Sequence, residues 1–135
     1  MTYIPDVLRN LVYERASGRC EYCLLHERYT IKRHEVDHIY AEKHGGKTVE
    51  DNLGLSCFDC NRHKGSDLAS LDPVNNEIVP LFHPRKDLWE AHFKLDGAFI
   101  QPLTPQGRVT VRLLQMNSAD RIDERALLIT IGRYP

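Results

Sequence analysis

The chain is short of the features that would tie it to a membrane, a secretory route or a highly charged partner. No stretch of its 135 residues approaches the roughly 20 apolar positions a membrane helix needs. Met1 to Pro5 carries no basic segment, and Asp6 and Arg9 interrupt any apolar run that follows. The expectation is a soluble, cytoplasmic protein with no membrane partner. Charge of one sign is also missing: 18 Lys and Arg stand against 19 Asp and Glu, a net charge of −1. Between Cys20 and Asp67 the acidic side chains slightly outnumber the basic ones. That excludes coating of nucleic acid through bulk charge, so any such contact must be local. Internal repeats, low-complexity segments and linkers are absent too. The length then fits one domain spanning 1–135, with one modest core.

Cysteine is sparse but ordered. Cys20 and Cys23 form one C-x-x-C pair, Cys57 and Cys60 another, and none is left over. Two such pairs read as a tetrahedral structural zinc site. A disulfide framework is the alternative, but it needs a secreted context that the N-terminus does not suggest. A redox C-x-x-C would explain one pair and not the other. The gap between the pairs exceeds that of the simplest zinc ribbons, so a functional segment is inserted between two knuckles.

Periodicity places these features. Pro5 to Ser17 reads as a helix, with Leu8, Leu11, Val12 and Ala16 on one face and Gly18 at its end. Ile31 to Tyr40 reads as a strand region, Gly45-Gly46 as a turn and Leu53 to Ser56 as a second strand. Asp59 to Asp67 is a short helix. Further on, Asp72-Pro73 and Asn75-Asn76 are turn signals. Glu77 to Phe82 reads as a strand that Pro80 confines to an edge. Asp87 to Phe93 reads as a short helix and Ala98 to Leu103 as a strand. Thr104-Pro105 caps a helix to about Met116, with Val109, Leu113 and Met116 on one face. Asp120 to Ile131 is a last helix.

Between the knuckles stands Glu35-Val36-Asp37-His38-Ile39, followed by Gly45-Gly46 and Asp51-Asn52-Leu53. The run Cys57-Phe58-Asp59-Cys60-Asn61-Arg62-His63-Lys64 closes the segment. This pattern resembles the HNH endonuclease family, in the subgroup where two C-x-x-C pairs clamp a ββα-metal fold. The resemblance covers Cys20 to about Asp67. It implies an α+β fold: a small ββα-metal (HNH) core over about 20–67, clamped by the four-cysteine zinc site. Flanking helices and a C-terminal α/β extension over about 68–135 complete it.

Phosphodiester hydrolysis needs an activated water, a stabilised pentacoordinate phosphate and a neutralised leaving oxygen. A hard divalent cation supplies the last two. Mg²⁺ takes one or two protein oxygens and keeps its remaining waters. Asp37 offers a carboxylate and Asn61 an amide oxygen. Imidazole is the side chain suited to proton transfer near neutral pH, so His38 can take a proton from water. The resemblance implies the matching roles: His38 the general base, Asp37 and Asn61 the ligands of the catalytic cation. Asn52 would bond to loop backbone and hold His38. Neighbouring residues of a regular strand face opposite ways, so Asp37 and His38 share a site only if the strand ends or distorts there. Many members of the family carry His where Asn61 stands. An amide there shifts the preference towards Mg²⁺ or Mn²⁺.

Other polar residues leave alternatives open. His63 either reaches the phosphate or is a solvent-exposed helix residue, the latter favoured. Lys64 is either a phosphate contact or a surface lysine. His34 lies four before His38, but the β pattern argues against a helical metal pair. His26, His44, His83 and His92 read as surface or capping residues. Arg108, Arg112 and Gln115 share one helix face, either contacting a DNA backbone or, as favoured, simply solvated.

The sequence thus points to a metal-dependent endonuclease that nicks or cuts DNA. By resemblance it leaves 5′ phosphate and 3′ hydroxyl ends. The rival is a non-catalytic, zinc-stabilised module that binds nucleic acid or protein; such a module has no need for Asp37, His38 and Asn61 together. Leu68 to Pro135 carries no catalytic motif. It would select substrate, pack over the core or bind a partner.

Overall fold

Leu8, Val12 and Ala16 recur at helical spacing, and Pro5 suits a first turn that has no use for its missing N–H. The computed structural model, which describes residues 3–135, forms helix α1 there, over Asp6–Ala16. It stops where Ser17 and Gly18 turn left-handed, with φ of 53° and 72°. Their N–H groups close the last turn on the Glu14 and Tyr13 carbonyls.

The inserted segment forms an antiparallel hairpin of β1 (Glu35–His38) and β2 (Leu53–Ser56), with His38 opposite Leu53 and Asp37 opposite Gly54. Helix α2 (Phe58–Lys64) follows, its N-terminus capped by the Cys57 sulfur, which accepts from Cys60 N–H. α1 packs on the hairpin around Ile4, Val12, Val36, Leu53 and Leu55. Arg15 fastens the two further: it donates to the Glu50 carbonyl at 3.1 Å and the Leu53 carbonyl at 2.6 Å.

Beyond Leu68 come two more hairpins and two longer helices. β3 (Ala69–Leu71) pairs with β4 (Ile78–Pro80). After the short α3 (Trp89–His92), β5 (Phe93–Asp96) pairs with β6 (Phe99–Pro102). Helices α4 (Pro105–Leu113) and α5 (Ala119–Thr130) end the chain. Thr104 caps α4 as expected, accepting from Gly107 N–H at 3.0 Å. No helix among the described residues is long and apolar enough to cross a membrane.

Three boundaries differ from expectation for identifiable reasons. The Asp87–Phe93 helix shrinks to one turn because Phe93, 2% exposed, opens β5 against Pro102 instead. The α4 helix stops at Leu113, not Met116, because Gln115 turns left-handed at φ 50°. The strand expected over Ile31–Tyr40 is regular only for part of its length, since Ile31 to Arg33 lie exposed and pair with nothing in the sheet.

The larger core gathers the four cysteines, Tyr22 and Leu25 together with Phe82, Phe93, Ile100, Leu114, Met116, Leu128 and Tyr134. The knuckles therefore share their apolar surroundings with the chain beyond Leu68. Hydrogen bonds join the same parts. Trp89 Nε1 donates to the Tyr22 carbonyl at 2.8 Å, and the Tyr134 hydroxyl to the Cys23 carbonyl at 2.7 Å. Arg121 of α5 is buried and donates to the Leu114 carbonyl at 2.7 Å and to Cys60 Sγ at 3.0 Å. Arg121→Met keeps much of the side-chain volume but leaves these acceptors without their charged donor. It should lower stability by about 3 kcal/mol, shifting the urea midpoint with an unchanged slope. A parental midpoint would show that α5 is not anchored through this residue.

Candidate active site

The two C-x-x-C knuckles bring all four sulfurs together. The thiols of Cys20, Cys23, Cys57 and Cys60 form no disulfide and are buried, and their sulfurs lie within 4.8 Å of one another. A tetrahedron of Zn–S bonds near 2.3 Å would set the sulfurs about 3.8 Å apart; Cys23 and Cys57 stand at 3.6 Å. Each knuckle also turns a backbone N–H onto its leading sulfur, Cys23 N to Cys20 and Cys60 N to Cys57, both at 3.4 Å. Burial pushes the Cys20 and Cys60 thiols up, while hydrogen bonds from the other three thiols draw Cys23 down. Arg121 supplies the nearest positive charge, reaching Cys60 and, at 3.7 Å, Cys57. Burial alone would lower its pKa; the charges of Cys60, Cys23 and Cys57 leave it raised. The donor set, its burial and its cationic neighbour all fit a metal ion.

The clamp fixes α2 against β1. Asn61 and Lys64, one turn apart, meet the face of β1 that carries Glu35 and Asp37. Asn61 Nδ2 donates to Glu35 Oε2 at 2.6 Å, leaving its side-chain oxygen Oδ1 unused among the described residues. The motif includes Glu35 but assigns it no role; its place two before Asp37, on the same strand face, is the one signal that could have found it. Lys64 corrects the sequence reading. It is not a surface lysine: it is 3% exposed and its ammonium donates to the Ile39 carbonyl at 2.9 Å. Burial draws that ammonium down, opposed by Asp37 and Asp67. Asp37 is half-buried. Burial raises its carboxyl above the ordinary range, against the pull of Lys64 and of His38.

His38 is the last residue of β1. Ile39 N–H still bonds the Asn52 carbonyl at 2.8 Å, the next position of the same register, while Asn52 N–H leaves the ladder for the Val49 carbonyl. Asp37 and His38 line one cavity of about 480 Å³. Asn52, 8% exposed, binds the loop beyond His38 with its whole side chain. Its Oδ1 accepts from Tyr40 N–H at 2.8 Å, and its Nδ2 donates to the Tyr40 and Lys47 carbonyls, both at 2.9 Å. Gly46 makes that turn possible: a Cβ there would lie 1.7 Å from the Tyr40 carbonyl oxygen. Arg15, absent from the sequence reading, grips the backbone on either side of Asn52 through Glu50 and Leu53. His38 Nε2 sits 2.8 Å from Thr48 Oγ1. If Nε2 carries the hydrogen, Nδ1 keeps its lone pair.

The remaining polar residues sort plainly. His63 is half-buried on α2, not fully solvent-exposed. His34 holds the Leu25 carbonyl at 2.7 Å from outside any helix. His26 caps a short turn by accepting from Arg28 N–H, as expected of a capping residue. His83 caps too, accepting from Arg85 and Lys86 N–H, but it is buried rather than on the surface. His44 meets the Ser66 carbonyl and His92 meets Thr104. Arg108 neither faces solvent freely nor awaits a phosphate: it forks onto the buried Asp72 at 2.9 and 2.7 Å. Arg112 and Gln115 are exposed.

Comparison with known proteins agrees with this geometry. Residues 20–67 match the model of the family described as HNH endonuclease. Septu protein PtuB of Bacillus thuringiensis is 27% identical over 118 residues, which cover 86% of this chain and 43% of that protein. This chain therefore spans less than half of that relative's length. No solved structure matches. Knuckles, hairpin and α2 together make residues 20–67 of this chain an HNH endonuclease domain.

Proposed function

We propose that this protein is a metal-dependent endonuclease of the cytoplasm that hydrolyses DNA phosphodiester bonds, held in shape by a structural zinc on Cys20, Cys23, Cys57 and Cys60. The observation that carries this reading is the shared cavity of Asp37 and His38 at the end of β1. A structural or purely binding role gives no reason to place a half-buried carboxylate beside an imidazole there. The similarity to the PtuB protein extends well past the HNH segment. That extent suggests the C-terminal extension belongs to the same working unit.

Asp37 and the Asn61 side-chain oxygen Oδ1 are the protein ligands proposed for a catalytic Mg²⁺ or Mn²⁺. Such a cation, when bound, supplies charge stabilisation to the phosphate and the leaving oxygen. Glu35 positions the Asn61 amide so that its oxygen, not its nitrogen, is free. Lys64 neutralises part of the buried charge from behind and braces the Ile39 carbonyl. His38 donates Nε2–H to Thr48 and takes a proton from water at Nδ1. Asn52 fixes the loop on which His38 depends by holding the Tyr40 N–H and carbonyl and the Lys47 carbonyl. His63 stays a proposed phosphate contact on α2; Lys64 is committed elsewhere.

Two outcomes follow. Asp37→Asn removes a carboxylate that burial disfavours, so the variant should keep its zinc and melt at or above the parental temperature without added cation. It should lose the rise in Tm that Mn²⁺ gives the parent, a rise set by RT ln(1 + [L]/Kd). An equal Mn²⁺ response in both proteins would place the cation elsewhere. His38→Ala should keep the fold, the zinc and most DNA affinity while plasmid nicking falls by roughly 10²–10⁴-fold. Asn52→Ala should show a milder form of that defect. A His38→Ala protein that nicks at the parental rate would remove His38 from the mechanism; one that loses its fold and activity together would make His38 structural.

A further inference from the structure

The cavity that holds Asp37 and His38 does not end with them. It is also lined by Arg9 and His34. A second cavity, of about 540 Å³, runs beside α1 and is lined by the same two residues together with Arg33. The two cavities thus share Arg9 and His34 on their walls, one on the side of the reacting groups and one beside the first helix. α1 lies outside the segment that matches the HNH family model.

Arg9 stands at the junction. Its Nε donates to the Ile4 carbonyl at 3.1 Å, which fixes the plane of the guanidinium. Among the described residues its two terminal nitrogens have no partner, and it makes no ion pair. This contrasts with Arg15, Arg85, Arg108, Arg121 and Arg125, which are all committed to acceptors within the fold. His34 is already committed: it is 3% exposed and donates Nε2–H to the Leu25 carbonyl, so its buried Nδ1 lone pair offers a phosphate no donor.

The acidic groups of the two cavities do not cancel Arg9. Glu27 is occupied: it accepts from the Tyr13 hydroxyl and from His34 N–H, and Arg33 stands 4.0 Å away. Glu35 is held by Asn61. Asp6 and Glu42 are exposed to water, as Arg9 is, and neither pairs with it; Asp37 is the proposed cation ligand. A guanidinium with a pinned Nε and free terminal nitrogens, in the same cavity as Asp37 and His38, suits the forked recognition of a phosphate.

We propose that Arg9 binds a backbone phosphate adjacent to the scissile one, so that α1 is a substrate-binding element and sets the path by which the strand leaves the site. This rests on the nuclease reading above. The test compares the parent with Arg9→Gln and Arg9→Lys, with Arg133→Gln as an exposed charge-loss control away from both cavities. Nicking of plasmid gives KM and kcat. Anisotropy of a labelled oligonucleotide, on each change combined with His38→Ala, gives affinity as salt is raised.

Arg9→Gln should raise KM about tenfold with kcat within about twofold, and should flatten the salt slope by about one. Arg9→Lys should keep most of the slope, because the charge remains, and recover part of the KM. Arg133→Gln should match the parent. Parental KM and slope in Arg9→Gln, with a parent that nicks, would overturn this proposal alone. An Arg9→Gln protein that no longer melts cooperatively, beside an Arg9→Lys protein no weaker in binding at any salt and with a parental slope, would make the residue structural and overturn it too. A parent that neither binds nor nicks nucleic acid would overturn the nuclease reading and this proposal together.

Discussion

Four sulfurs buried within 4.8 Å of one another are a liability unless a cation holds them. Most of the architecture can be traced to that constraint. The hairpin and α2 contribute few apolar side chains: Val36, Leu53 and Leu55 make up most of the small core with α1. A structure with so little to bury needs a covalent or metal tie. The knuckles provide it, and they do so by fixing Asn61, the residue after Cys60, to the strand that bears Asp37. Everything proposed for catalysis depends on that placement. A displacement of about 1 Å at such a site is enough to cost two orders of magnitude in rate.

The same constraint explains why the chain beyond Leu68 is wrapped around the knuckles. Buried thiolates call for hydrogen-bond donors and positive charge, and hairpin and helix together have few to spare. Arg121 comes from α5 to meet Cys60 and Cys57, while Tyr134 and Trp89 tie the backbone of the first knuckle. Glu21 completes the arrangement on the other side. It accepts from Leu55 N–H and pairs with Arg85, so β2 and the chain after β4 are both fastened to the first knuckle. The extension is thereby energetically coupled to the four-cysteine cluster even though it carries no reactive motif of its own.

What the sequence made legible was local or fixed by spacing. The cysteine pairs, the Asp37-His38 step, Asn52, and Asn61 directly after Cys60 could be placed because each occupies a set position relative to a C-x-x-C knuckle. α1, β2 and the cap at Thr104 were readable from period, turn and capping signals. The residues that escaped were those whose partners lie far along the chain. Arg121 is 61 positions from Cys60 and Tyr134 is 111 from Cys23, so no local signal marks either. Arg15 looks like an ordinary helix-end charge until the fold sets it over Glu50 and Leu53. Lys64 and Arg108 depart the other way. Polar residues on short helices are usually solvated, yet a carbonyl freed by the end of β1 and a buried carboxylate at Asp72 claim them. The β3 and β5 strands escaped; β5 opens at Phe93, which the sequence reads as the end of a helix.

In the function proposed, two metals divide the labour: one zinc shapes the domain and one exchangeable cation serves hydrolysis. The measurement that reaches this division most directly is plasmid cleavage by protein whose metal content is determined on the same sample, before and after brief chelation. Chelation should abolish cleavage while one zinc per chain remains, and Mg²⁺ or Mn²⁺ should restore it. Cleavage that persists after chelation, or that is lost only together with the zinc and returns with zinc alone, would contradict it.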